Sequence, residues 1–372
     1  MAAPRPVEPN EIEDLADLIG SVFGLDDHYS KEHMVSKMRR PTDRRSTLVV
    51  VEHGQVVSHI RTVYSRVSVY GCEFNVASVG TVLTRPEYRG KGHAGAILEM
   101  SLRDMARKRA KVMIVSGDRG LYRRAHCVPA GRVLSGTVRR DDLQHRGAGV
   151  SVRRVGPEDW PLLAPMHQAE SVRFVRPVGF VEKLPFWWDC EYPELWLVER
   201  AGDPVAYAGL AREWDRKEGS KRRRVWEYAG SRAALVEALP AIFEETGLDE
   251  VAFGVLGHDR ELSYLLRRQG VALEERRSVG TLRLIDLPGL MRRLRPYLRE
   301  RLERRDLRSL SFDQEGDRCV FAYGEERLEC GVAEATPLVL AGPHAPKVTG
   351  DLKRVLARVF PVPLPMAGFN FV

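Results

Sequence analysis

The 372 residues predict an α/β chain of three units: two mixed sheets with flanking helices, built to one repeated plan, and a smaller α+β unit at the end. Three observations carry that reading. One order of elements (strand, helix, hairpin, strand, helix, strand) occurs twice at an offset of about 150 residues. The second occurrence lacks the glycine spacing of the first. Past about residue 288 the pattern changes to a basic amphipathic helix followed by short strands. The units are accordingly bounded at 1–147, 148–287 and 288–372.

Taken in order, PRPVEPNEIEDLADLIGSVFG from Pro4 is a short strand, a Pro/Glu/Asp helix start and an apolar-periodic helix. VRRVGPEDWPLLAPMHQ from Val152 repeats it. TLVVVEHGQVVSHIRTVY from Thr47 reads as a β-hairpin, and ELWLVERAGDPVAYAGLAREW from Glu194 is its counterpart, with the turn expected at Gly202-Asp203. A strand, turn, helix and strand follow from Val76 to Gly117, and again from Arg222 to Gly257. In the last unit LPGLMRRLRPYLRERLERR predicts a single basic helix, RCVFAYG and RLECGV strands, and 349–359 a helix. Pro361, Pro363 and Pro365 forbid a helix in the tail, whose apolar residues predict a docked segment.

Composition excludes several classes. No apolar run reaches the roughly 18 residues of a membrane span, and the acidic start MAAPRPVEPNEIEDL lacks a signal-peptide core, which places the chain in the cytoplasm. Cys72, Cys127, Cys190, Cys319 and Cys330 are scattered and never in CxxC spacing, so neither a disulfide framework nor a metal site is expected. The net charge of +7 would suit a nucleic-acid partner only if clustered; Arg222–Arg224 and the run from Arg292 to Arg308 are interleaved with Glu and Leu, so solvated helix faces are expected and no nucleic acid.

The sharpest local signal is Arg89-Gly90-Lys91-Gly92-His93-Ala94-Gly95, after the strand VASVGTVLT and before the helix AILEMSLRDMARKR. Glycines there let backbone approach a ligand, and successive N–H groups at a helix N-terminus make an anion site suited to a pyrophosphate. The GxxxxGK[ST] spacing of a P-loop is absent. The hairpin-rich context also excludes a Rossmann turn.

VLTRPEYRGKGHAGAIL resembles motif A of the GCN5-related N-acetyltransferase superfamily: Arg89, Gly92 and Ala94 fill its pattern, and Pro86-Glu87-Tyr88 is typical of it. The order of the three units and the tail LPMAGFNFV are similar to the enhanced intracellular survival family, with tandem acetyltransferase-like domains, the second degenerate, and a sterol-carrier-protein-like domain. The resemblance implies acetyl-CoA as co-substrate, its pyrophosphate on the N–H groups from Gly90 to Gly95. Val82, Leu83 and Thr84 would meet the pantetheine arm, with Gly117 and Asp118 also bordering the coenzyme. It implies Tyr122 as general acid, the Val372 carboxylate as base, Asp26 and Asp27 beside a cationic primary amine (small molecule or peptide), and a homo-oligomer, hexameric in that family. Arg123-Arg124-Ala125-His126-Cys127 departs from the Gly and aromatic usual after the tyrosine.

Elementary chemistry constrains the same roles. A primary amine with a pKa near 10.4 must lose a proton before attack, and a departing thiolate, pKa near 8.5, must gain one. A tyrosine, pKa about 10, serves if held at the sulfur. A terminal carboxylate starts near 3.5 and needs burial or a bridging water to act as base. His93, inside the turn, is expected to face the ligand; Trp187 and Trp188 are expected in a core or interface. The rival reading is a module that binds acyl-CoA or lipid without transferring anything.

Overall fold

The first sheet is built around one long hairpin. In the computed structural model, which describes residues 2–23, 35, 38–39, 44–143, 149–177, 194–212, 223–276, 280–343, 348–366, 368 and 370, β1 (Arg5–Pro6) pairs with β2 (Thr47–Glu52), β2 with β3 (Gln55–Val69) and β3 with β4 (Cys72–Thr84), all antiparallel. The turns His53-Gly54 and Tyr70-Gly71 have positive φ at both residues, the geometry that matches the twist of paired strands. α1 (Ile12–Phe23) lies between β1 and β2; α2 (His93–Arg107) crosses from β4 to β5 (Ala110–Val115), which runs parallel to β4. The short α3 (Gly120–Arg124) follows β5.

β5 reads AKVMIV and is buried on both faces, which is why it shows an unbroken apolar run. Met113 and Val115 pack beneath Ile97, Leu98 and Met105 of α2; Val112 and Ile114 face the third unit.

The second sheet contains β6 (Val133–Arg139), β7 (Val150–Arg154), β9 (Glu194–Arg200), β10 (Asp203–Arg212), β11 (Arg223–Gly230), β12 (Glu250–Leu256) and β13 (Glu274–Arg276). Its helices are α4 (Trp160–Ala169), α5 (Arg232–Glu237), α6 (Leu239–Thr246) and α7 (Arg260–Arg268). The plan is that of the first sheet, with β11 and β12 as its parallel pair. The turn between β9 and β10 is Ala201-Gly202, both at positive φ, one residue earlier than expected, because Asp203 already pairs with Arg200.

Sheet membership does not follow the boundaries at 147 and 287. β6, from the first unit, lies between β12 and β13; β14 (Thr281–Leu284), from the second, completes the first sheet beside β5. β8 (Val172–Val175) also leaves its unit to pair with β3. Alternation along a strand states which face is buried, not which edge receives it.

The third unit has α8 (Leu287–Arg293), α9 (Arg295–Arg299), α10 (Arg304–Ser309), the antiparallel strands β15 (Leu310–Glu315), β16 (Arg318–Tyr323) and β17 (Glu326–Gly331), then α11 (Val332–Ala341) and α12 (Gly350–Val359). The expected single basic helix is thus three short ones, the first break falling at Leu294 ahead of Pro296. Leu290, Phe321, Leu338, Val355 and Phe360 form one continuous core with Val67, Phe74, Val76 and Val112 of the first sheet. Among the described residues no helix is long and apolar enough to cross a membrane.

Candidate active site

β4 and β5 pair in register from Asn75 and Ala110 only as far as Val79 and Val115. Beyond that point they part. β4 continues to Thr84 along β3, with a register shift between His59 and Arg61 and with Thr81 at φ 51. Thr81 and Val82 fall in that shift and have a register partner in neither neighbour, so their peptide groups are available to a ligand entering the gap. The carbonyl of Leu83 accepts a hydrogen bond from Ser58 Oγ (3.1 Å) and that of Thr84 one from Arg89 Nε (3.3 Å). Of the expected pantetheine contacts, Val82 is the one whose backbone the protein leaves available.

The turn from β4 into α2 is anchored at its start. Arg85 donates to Asp14 on α1 (2.6 Å) and to the Val56 carbonyl (2.8 Å), while Asp14 also accepts from the Val56 N–H. Gly90 (φ 79) and Gly92 (φ 85) adopt left-handed backbone that only glycine takes without strain. Gly92 opens α2 with no side-chain cap, and the first helical hydrogen bond runs from the Ala96 N–H to the Gly92 carbonyl. The N–H groups of His93, Ala94 and Gly95 therefore lack intrahelical partners. A Cβ at Gly95 would meet nothing within 4 Å, so protein packing does not require the glycine; close approach of a ligand does. A pyrophosphate fits this cradle, with Arg89 and Lys91 exposed beside it and the Lys91 ammonium 4.4 Å from the Tyr88 ring centroid.

His93 departs from its expected place. Its imidazole is buried, 3.6 Å from Glu52 Oε1 at the end of β2, so what it offers a coenzyme is its backbone N–H.

Tyr122 lies on α3, buried in the same core as Val79 and Val115, where the two strands separate. Its ring packs on Gly117, at which a Cβ would stand 3.3 Å from Cε2. Burial pushes its pKa up to about 12, with Arg119 pulling the other way. The hydroxyl has no hydrogen-bond partner among the described residues, so it holds a proton at neutral pH and is unengaged. The departure from the family pattern after the tyrosine has a geometric outcome. His126 takes φ 58, and the Cys127 N–H donates to the Tyr122 carbonyl, so a histidine closes α3 in the conformation glycine usually supplies.

Gly117 and Asp118 border the same opening, with Asp118 exposed and 2.8 Å from Arg123. The Gly117 carbonyl accepts from Thr281 Oγ1 (2.9 Å), a contact from β14 that sequence reasoning missed because 164 residues separate the partners. Tyr64, also missed, donates to Asp104 (2.6 Å) and ties β3 to α2.

The tail is docked. The Val362 N–H donates to the Val339 carbonyl, and Asn370 Oδ1 accepts from Arg176 Nε at 2.8 Å. Arg176 is buried in a two-pronged pair with Glu227 of β11, which also accepts from Tyr207. Arg176 follows Val175, the β8 residue opposite Arg66 of β3, so the described end of the tail lies beside the first sheet. Asp26, Asp27, Trp187, Trp188 and Val372 lie outside the described residues. Among the described residues no group of three or more His, Cys, Asp or Glu is placed to hold a metal ion.

Residues 3–127 match the acetyltransferase (GNAT) domain family, so the first unit carries a GNAT domain. No curated protein matches the chain significantly in sequence. Three solved structures are similar over nearly its whole length. A GCN5-related N-acetyltransferase from Anabaena variabilis has 15% identity and a TM-score of 0.69, covering 97% of this chain and 99% of that one. One from Kribbella flavida has 18% identity and 0.66, covering 97% and 98%; Eis1 from Mycobacterium abscessus has 15% and 0.64, covering 100% of both. At these identities the likeness shows a shared fold, mixed α/β with several sheets.

Proposed function

We propose that this chain is an N-acetyltransferase that uses acetyl-CoA to acetylate a primary amine by direct attack. The observation that carries this reading is the parting of β4 and β5 beyond Val79 and Val115, with an uncapped helix N-terminus on one side and the Tyr122 hydroxyl on the other.

Acetyl-CoA, when bound, supplies a thioester carbonyl open to attack by an amine. The N–H groups of the turn up to Gly95 hold its pyrophosphate, and the dipole of α2 adds to the attraction. The unpaired peptide group of Val82 orients the arm. Tyr122 keeps its proton until the sulfur departs, since its pKa of about 12 lies well above neutrality. Arg119 eases the charge left on the phenol oxygen.

Proton removal from the amine is assigned to the carboxylate of Val372. Its support is the family resemblance of the tail and the anchoring of Asn370 at Arg176 beside the first sheet. Asp26 and Asp27 are the acidic residues proposed to face a cationic acceptor, such as a polyamine, an aminoglycoside or a lysine side chain.

The test is thiol release from acetyl-CoA across a panel of such amines, with wild type and Tyr122→Phe side by side. Amine-dependent release lost in the variant is the expected result. Tight acetyl-CoA binding with no turnover on any amine would favour a module that only binds the coenzyme.

A further inference from the structure

Away from the coenzyme cleft, the tip of the β3–β4 hairpin, the end of β12, α9 and the segment 361–366 enclose a cavity of about 390 Å3. That is a volume typical of small-molecule pockets. Leu256, Leu282, Leu340, Val362, Leu364 and Met366 give it an apolar wall. Its other lining side chains include three arginines, and no carboxylate lines it among the described residues.

Arg301 is the best positioned of the three. Its guanidinium lies 3.7 Å from the Tyr297 ring centroid and 5.1 Å from that of Tyr70, two rings stacked at 5.8 Å. Such stacking fixes the plane of the fork in advance of a ligand. Its carboxylate neighbour, Glu300, is 3.6 Å away and largely in water, so little of the positive charge is neutralised. Arg132 is taken by a two-pronged pair with Glu275, whereas Arg260 has no ion pair among the described residues.

His258 supplies a second polar point. Its ring stands edge-on to Tyr70 at 6.4 Å, and its Nδ1 is buried without a hydrogen-bond partner. A buried polar atom is left unpaired only at a cost, which an oxygen entering the cavity would relieve.

We propose that this cavity binds one small amphiphile, an aliphatic carboxylate whose chain lies on the leucine wall and whose head group meets Arg301 and His258. A cationic rim without acidic neighbours selects the anion, and an apolar wall of this extent selects a chain over a compact polar acid. The lining residues contribute nothing to the turn Arg89–Gly95 or to α3, so the site is separate from the proposed acetyl transfer.

The experiment is calorimetric titration of the full chain with dodecanoate and with dodecanol, both kept below the concentrations at which they aggregate. Dodecanoate is expected to bind once per chain and dodecanol at least about tenfold more weakly, the margin of one charged hydrogen-bonded contact. Leu340→Trp, which fills the cavity, should abolish both. Arg301→Met should bring dodecanoate down to the affinity of dodecanol and leave dodecanol unchanged; this comparison stands even if the tryptophan variant does not fold. No saturable binding by the wild type, or undiminished binding by Leu340→Trp, would overturn the site. Equal affinities for acid and alcohol would overturn the choice of a carboxylate.

Discussion

The two sheets share a topology, and at the same place in each they do opposite things. In the first unit β4 leaves β5 and reaches α2 through residues 85–92, so that the helix begins uncapped beside a gap. In the second, β11 passes from Gly230 straight to α5, and Ser231 caps that helix by accepting the Ala234 N–H. The space beyond is filled from within: Arg232 bridges Glu170 and Asp259, and Tyr228 donates to Asp259. Even the local sequence after the parallel pair is shared, GDRGLY in one unit and HDRELSY in the other, yet Tyr122 is buried at the opening and Tyr264 is mostly exposed. A fold becomes a binding site where its backbone donors are left unsatisfied, and a scaffold where side chains satisfy them.

Substitutions can break or sharpen that contrast. The largest effect is expected for Tyr122→Phe, which should lower kcat by about 10² or more, the range of a general acid, with acetyl-CoA affinity unchanged in equilibrium binding. Full activity in that variant would leave the two tyrosines equivalent. On the scaffold side, Glu227→Leu strands the buried Arg176 and should destabilise by about 3–5 kcal/mol in urea unfolding.

The same pair sets a pH dependence. Burial alone would raise the pKa of Glu227, but Arg176 outweighs it and holds the group at about 2, below its ordinary value of 4.5. The stabilisation is therefore complete above about pH 4.5 and lost as pH falls toward 2. Acid unfolding of the wild type should show that loss, and Glu227→Gln should not.

Gly95→Ala separates binding from stability. With open space at the Cβ, the alanine should stabilise α2 by up to about 1 kcal/mol, while acetyl-CoA binding weakens at least about tenfold. A variant that is more stable and binds equally well would remove the coenzyme from this turn. The smallest effect is Ser231→Ala, expected to cost about 1 kcal/mol in thermal unfolding and nothing in turnover. Loss of turnover there would mean the second unit does more than support the first.

Much of this contrast is legible in the chain itself. The hairpins, the crossover helix and the glycine turn are local, each set by a few adjacent residues through side-chain periodicity and the φ values that glycine permits. Thus Arg89–Gly95 and Tyr122 could be singled out, and the absence of glycines before α5 already marked the second unit as different. The split of one expected basic helix at Leu294 was also written there, in Pro296, though the charge pattern obscured it.

What tertiary structure alone decided is which elements meet. Strands β6, β8 and β14 carry no mark of the sheet they join, because a strand edge offers the same peptide groups to any neighbour. The consequences are specific: Thr281 on the carbonyl beneath Tyr122, Asn370 on Arg176, and the burial of His93 against Glu52. Local sequence determined the donors, the glycines and the acid of the proposed site. Packing between residues more than a hundred positions apart determined which of them remain unpaired, and so able to bind.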